Sequence, residues 1–249
     1  MVAEAVHRAE ELGVDSIWTW DHFFAVSGDP AGGTFECWTL LTAIASLSSR
    51  AQVGSLVSCA AWRNPALLSA MAKTIDHVSA GRLVVGLGAG WDQDEFEEYG
   101  YSFGTPQGRL RDLAAGLATM RHRWETDNPK PVNGHIPVLL GGTGNGLLEL
   151  VAQYATMWHG FSDALTPEAS RVRQKSAVLE RHCAAISRDP QEIERCMTTP
   201  PNHSDEVRTG YRDLGITHFM LNLPRKPGTT EWNFDEVERL VQWREKANR

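Results

Sequence analysis

Seven apolar runs of strand length recur along the chain, and an amphipathic helical segment follows each one: DSIWTWDH, QVGSLVS, RLVVGLGAG, HIPVLLGG, MWHGF, ERCMTT and ITHFMLNLP. This alternation leaves few architectures open, because strands that each return through a helix pair in parallel. Several runs are apolar almost throughout, as expected of strands covered on both faces. The intervening segments carry helical stripes: Val2, Val6, Ala9 and Leu12, stopped at Gly13; Trp38, Leu41, Ile44 and Leu47; and Leu68, Met71, Ile75 and Val78, opened by Asn64-Pro65 and stopped at Gly81. Thr105-Pro106 opens the stripe Leu110, Leu113, Leu117 and Met120, and Leu147, Leu148, Val151 and Tyr154 form the next. Thr166-Pro167 opens a further helix, Val207, Tyr211 and Leu214 lie on one ended by Gly215, and Val237, Leu240 and Val241 mark the last. The pattern predicts a single α/β domain over residues 1–249, a (β/α)8 TIM barrel lacking the usual first strand because the chain opens on a helix. A doubly wound open sheet is the alternative. Irregular segments are expected at 27–33, 124–134 and 224–231.

Composition removes several function classes. A net charge of −7 argues against binding a phosphate backbone, so no nucleic-acid partner is expected. No apolar run approaches the roughly 18 residues of a membrane span, and the opening MVAEAVHRAEELG lacks the apolar core of a signal peptide. Cys37, Cys59, Cys183 and Cys196 show neither C-x-x-C nor zinc spacing, which suits free thiols in a reducing cytoplasm. Nine tryptophans are many for 249 residues, and such side chains serve either as core or as walls for a flat ligand.

In a parallel barrel the chemistry gathers at the C-terminal ends of the strands. Those ends read Asp21-His22, Ser55-Leu56-Val57-Ser58, Gly88-Ala89-Gly90-Trp91, Gly141-Gly142-Thr143-Gly144-Asn145, Trp158-His159 and Asn222. GLGAGW is not a dinucleotide fingerprint, since Trp91 stands where close helix–strand packing needs a small residue. GGTGN directly precedes a helix, so it is either an anion cradle of backbone N–H groups or a plain strand-to-helix turn. Asp21-His22 is an acid/base pair for neutral pH, with a structural histidine as the alternative, and the same alternatives hold for His159. His218 falls at a strand start and reads as structural. A metallohydrolase would need three or four converging ligands, and the His/Asp spacing offers no such set, so no metal is expected. In the acidic run Asp92, Asp94, Glu95, Glu97 and Glu98, a solvated helix face is the plain reading, with Asp92 nearest the strand end.

With these residues in order, the chain resembles the bacterial luciferase-like superfamily, and within it the branch that uses coenzyme F420, a deazaflavin. The resemblance is carried by AEELGVDSIWTWDHF, AWRNPALLSAMAKTIDHVSAGR, LVVGLGAGWDQDEFEEYGYSF, IPVLLGGTGNGLLELVAQYA and LGITHFMLNL. It implies a luciferase-like TIM barrel with F420, or alternatively FMN, lying across the strand ends. Gly88, Gly90 and Trp91 would line the ring, and Asp21 and His22 would sit beside its reactive carbon, with His22 as the catalytic proton-handling group. A non-proline cis peptide would fall within Ser55, Leu56, Val57 and Ser58, behind the ring. Gly141, Gly142, Thr143 and Gly144 would anchor the tail phosphate or the ring edge, and Trp158 would be a further wall. The implied activity is hydride transfer between F420 and a small organic substrate. An FMN-dependent monooxygenase and a non-catalytic flavin-binding barrel are the alternatives. The resemblance also implies a homodimer. Two departures argue against a sugar-phosphate substrate: Val26 stands near the place of a tryptophan that sugar-phosphate dehydrogenases of the family carry, and Trp91 replaces their glutamate.

Overall fold

The computed structural model describes residues 2–25, 33–162, 169–200, 203–226 and 228–248. The expectations at Val26 and Thr166-Pro167, and most of 27–33, lie outside these residues. The chain divides into two compact units, Ser16–Gly141 and a second made of Met1–Asp15 with Gly142–Arg249. The first helix, α1 (Val2–Glu11), belongs to the second unit.

Within Ser16–Gly141, β1 (Ser16–Thr19) pairs in parallel with β2 (Gln52–Ser55), and β2 pairs with the β-strand Leu83–Gly88. QVGSLVS does not form one strand. It breaks at a cis peptide between Leu56 and Val57, the place the resemblance implied, and resumes as the two-residue β3 (Ser58–Cys59). Strand Leu83–Gly88 is β4, buried along its whole length, and it also pairs in parallel with β3 and with β5 (Val138–Gly141). The returns are α2 (Cys37–Leu47), α3 (Pro65–Val78), the short α4 (Gln93–Glu98) and α5 (Pro106–Thr126).

The helix starts follow the local signals. Asn64 accepts from the N–H groups of Ala66 and Leu67, Thr105 accepts from Gly108, and a proline takes the first helical position in both helices. The far end of α2 is closed from a distance: the Arg82 guanidinium donates to the carbonyls of Ala45, Ser48 and Ala51.

Two expectations are corrected here. Val78 is 43% exposed, and the buried side of α3 turns toward Asp76, which accepts the Val132 N–H at 2.7 Å. The segment 124–134 is not irregular from its start, because α5 runs to Thr126 and buries Trp124, whose indole donates to the Ser69 carbonyl.

The second unit contains α1, α6 (Asn145–Tyr154), β6 (Met157–Ser162), α7 (Ala169–Ala185), β7 (Glu194–Thr198), α8 (Asp205–Asp213), β8 (Ile216–Met220) and α9 (Asp235–Ala247). Strands β6, β7 and β8 run parallel in that order. On α8 the expected apolar face is partly displaced. Val207 is 41% exposed, while Arg208 is buried and ion-paired with Glu236 of α9 and Asp205. Arg244 ties α9 to the chain after α1, donating to the Gly13 carbonyl and the Asp15 carboxylate.

Candidate active site at the ends of β1, β3 and β4

In the unit Ser16–Gly141 the chain leaves β1 through Trp20, Asp21 and His22. Asp21 is 3% exposed, and both its oxygens are taken. Oδ2 accepts from Arg63 Nη1 at 2.5 Å and from the Cys59 N–H at 3.2 Å, and Oδ1 accepts from Arg63 Nη2 at 2.9 Å. Arg63 also donates to Glu36, the N-cap of α2. Burial disfavours the Arg63 cation, but the two carboxylates outweigh it and hold its pKa above the usual value. Desolvation likewise raises Glu36, while hydrogen bonds from Thr39, Arg63 and Trp38 bring its pKa down to about 2. Asp21 therefore anchors the strand end, with both of its oxygens bonded within the chain.

His22 points the other way. Its side chain is 18% exposed, and Nδ1 lies 2.7 Å from Glu95 Oε2. Glu95 itself is 1% exposed, and its Oε1 accepts the N–H groups of Phe23 at 2.6 Å and Phe24 at 3.1 Å. Asp92 caps α4 by accepting the Glu95 N–H at 3.5 Å. His22, Asp92 and Glu95 thus offer ligand-type atoms within 4.8 Å of one another. The hydrogen bond of His22 and the two backbone donors already occupy Glu95, which fits an oriented imidazole better than a cation site. Around the pair stands an aromatic cluster: Phe23 stacks on Tyr99 at 3.8 Å and packs at a tilt against Trp62 at 4.4 Å. Trp91 is 68% exposed, with its indole 5.7 Å from the His22 ring.

The glycines have an internal reason that sequence density did not reveal. A Cβ on Gly86 would fall 1.8 Å from the Ser55 carbonyl oxygen. One on Gly88 would lie 2.9 Å from a Val57 methyl, and one on Gly141 would lie 3.0 Å from both Val57 methyls. Val57 thus seats on a glycine floor built by β4 and β5. Gly90, at φ +83°, has no room for a side chain either, because Cys59 and Phe96 lie under 3 Å from its Cβ position. At 55–58 the roles divide. Ser55 bonds the Gly86 carbonyl and Ser58 accepts from the Trp38 indole, both fully buried, while Leu56 and Val57 are partly exposed.

The remaining expected residues belong to the second unit. Gly142, at φ +132°, donates its N–H to the His159 carbonyl and accepts from the Trp158 indole. Trp158 is fully buried and packs edge-on against Phe161 at 5.0 Å, so it supports the glycine loop rather than forming an open wall. Thr143 is half-buried. Gly144 and Asn145 are exposed, and Gly144 caps α6 with no side-chain bond. His159 bonds Thr198 Oγ1 at 2.9 Å, and burial, with the charge of His218 adding, holds its pKa at about 4. It is therefore neutral where an acid/base group works.

Sequence reading missed Glu95, Arg63 and the aromatic cluster. The available signal for Glu95 was its place three residues after the capping Asp92 and beside the buried Phe96.

The whole stretch of residues 1–247 matches the luciferase-like monooxygenase family. An uncharacterized protein of Mycobacterium tuberculosis is 28% identical over 228 residues, which is 84% of this chain and 76% of that protein. The F420-dependent glucose-6-phosphate dehydrogenase of Amycolatopsis mediterranei is 31% identical over 130 residues, 51% of this chain and 38% of the enzyme. Among solved structures, an F420-dependent secondary alcohol dehydrogenase in complex with an F420-acetone adduct superposes with a TM-score of 0.73 at 18% identity, covering 88% of this chain and 87% of that one. The likeness fixes the fold class as the parallel α/β, TIM-barrel type. Among the described residues no helix is long and apolar enough to cross a membrane.

Proposed function

The chain belongs to the luciferase-like monooxygenase family of oxidoreductases, and from that premise we propose that it transfers a hydride between coenzyme F420 and a small organic molecule. The observation that carries the reading is the His22–Glu95 pair, a partly exposed imidazole held at a strand end by a buried carboxylate. When bound, the deazaflavin supplies a ring carbon that accepts or releases the hydride. The chain's own residues fit a flat ring. Leu56 and Val57 offer partly exposed apolar surface at the end of β2, and Trp91 offers an open indole face. His22 Nε2 then takes or returns the proton at the substrate oxygen. F420 is named for two of the similar proteins, which supports this choice over FMN. The family's own description keeps a monooxygenase as the second reading, for which FMN would be the cofactor.

The reading includes a homodimer. The eleven residues of α2 carry no charge, and on α3 Leu67 and Val78 stand exposed, so the α2–α3 face suits a second copy of the chain. Light scattering that gives a monomer over a wide concentration range would contradict this part.

The test of the reading is His22→Ala, assayed by single-turnover reduction of the deazaflavin. A loss of roughly 10²–10⁴-fold in rate is expected, the usual contribution of a general acid–base group, with coenzyme affinity little changed. A folded variant that binds coenzyme and reacts at the original rate refutes the assignment.

A further inference from the structure

We infer that Glu95 is the positioning residue that sets the tautomer of His22, and that its carboxylate does so only because its other oxygen is committed to the backbone. This rests on the acid/base reading of His22 above. Two observations carry it. Glu95 Oε1 accepts two backbone donors, the N–H groups of Phe23 and Phe24, at 2.6 and 3.1 Å. Glu95 Oε2 meets His22 Nδ1 at 2.7 Å, and the carboxylate is 1% exposed.

A carboxylate offers only acceptors. Facing one, Nδ1 carries the proton and donates it, so Nε2 of the neutral ring is left with the lone pair of a base. The same group pins the backbone just after His22. Through Phe23, which stacks on Tyr99 and packs at a tilt against Trp62, it also fixes the aromatic cluster beside the ring.

The double commitment makes an isosteric change informative. In Glu95→Gln the amide has one acceptor and one donor group. Oε1 accepts from two backbone N–H groups, at 2.6 and 3.1 Å, on a carboxylate that is 1% exposed; an NH₂ placed there would meet two donors at once, so the amide oxygen takes the place of Oε1. The NH₂ then faces His22 Nδ1. A donor there obliges Nδ1 to accept, and the ring proton moves to Nε2. The base is turned off with its position unchanged.

The experiment is long-range ¹H–¹⁵N NMR of the histidine rings in the intact chain, at a pH where the rings are neutral, with His22→Ala used to assign the resonance. Wild type should show the Nδ1–H tautomer at His22. Glu95→Gln should show Nε2–H, with hydride transfer reduced as far as in His22→Ala, an unchanged fold by circular dichroism, and coenzyme affinity largely retained. Glu95→Asp keeps an acceptor-only group, so it should keep Nδ1–H and recover part of the rate. An Nδ1–H tautomer persisting in Glu95→Gln overturns the inference, as does an Nε2–H tautomer in wild type. If the tautomer inverts and the rate does not fall, the positioning role stands and the acid/base role of His22 fails.

Discussion

Asp21→Asn separates an anchoring carboxylate from a ligand-binding one. Asp21 is 3% exposed, and its partner Arg63 has an 11% exposed side chain, so little solvent screens the pair. The contact is bidentate, at 2.5 and 2.9 Å, with the Cys59 N–H as a third donor. Removing one member of a buried ion pair costs about 3–5 kcal/mol. Asparagine keeps one oxygen acceptor, and Arg63 keeps Glu36 at 2.6 Å, which together place the loss near the lower end, about 3 kcal/mol. For a chain of this size each kcal/mol moves Tm by about 2–4 °C, so a fall of about 6–12 °C is expected. Thermal unfolding followed by circular dichroism gives the shift, and a coenzyme titration well below the variant's Tm gives the affinity of the folded protein. The anchoring role predicts a lower Tm with affinity changed less than about threefold. An unchanged Tm with affinity lowered tenfold or more would refute it and make Asp21 a ligand.

Two further outcomes follow from the second unit. Gly144 has φ −66° and ψ 145° with open space at its Cβ position, so Gly144→Asp adds a good N-cap to α6. It should raise stability by a few tenths of a kcal/mol, read as a higher urea midpoint; an unchanged or lower midpoint would contradict the capping role. Gly142 is a poorer test, because at φ +132° with Leu147 2.6 Å from its Cβ position any side chain strains the fold. His159 binds its proton only near pH 4 in the folded chain, against 6.5 for the free side chain. Between those values the unfolded chain holds more protons, so stability present above about 6.5 is lost as pH falls toward 4, on the order of 3 kcal/mol. Urea midpoints at both ends of that window should converge in His159→Gln, and an equal loss in variant and wild type would contradict the assignment.

The strands were legible because their signals are local: each apolar run is bounded by turn chemistry, and Asn64-Pro65 and Thr105-Pro106 mark helix starts that the structure keeps. His22 was legible as a strand-end histidine. Its partner was not, since Glu95 is 73 residues away and sits in an acidic run that reads as a solvated face. Only the six-residue α4, started by Asp92, turns Glu95 and Phe96 inward. The glycines carry two readings for a related reason. Their density signals that something comes close, and periodicity cannot distinguish a bound ring from Val57 of the same chain. Trp158 shows the same limit, because an indole at a strand end looks alike in sequence whether it lines a surface or, as here, lies fully buried on the Gly142 carbonyl.

The deazaflavin is the proposed cofactor of this luciferase-like chain, with FMN as its rival. Titration of the purified protein with F420 and, separately, with FMN, followed by quenching of tryptophan fluorescence, tests it most directly, since Trp91 stands exposed 5.7 Å from the His22 ring. Saturable F420 binding is expected with Kd roughly in the micromolar range, as suits a site without a covalent anchor, with weaker binding of FMN. Tight FMN binding with none for F420 would contradict it and make the chain a flavin monooxygenase.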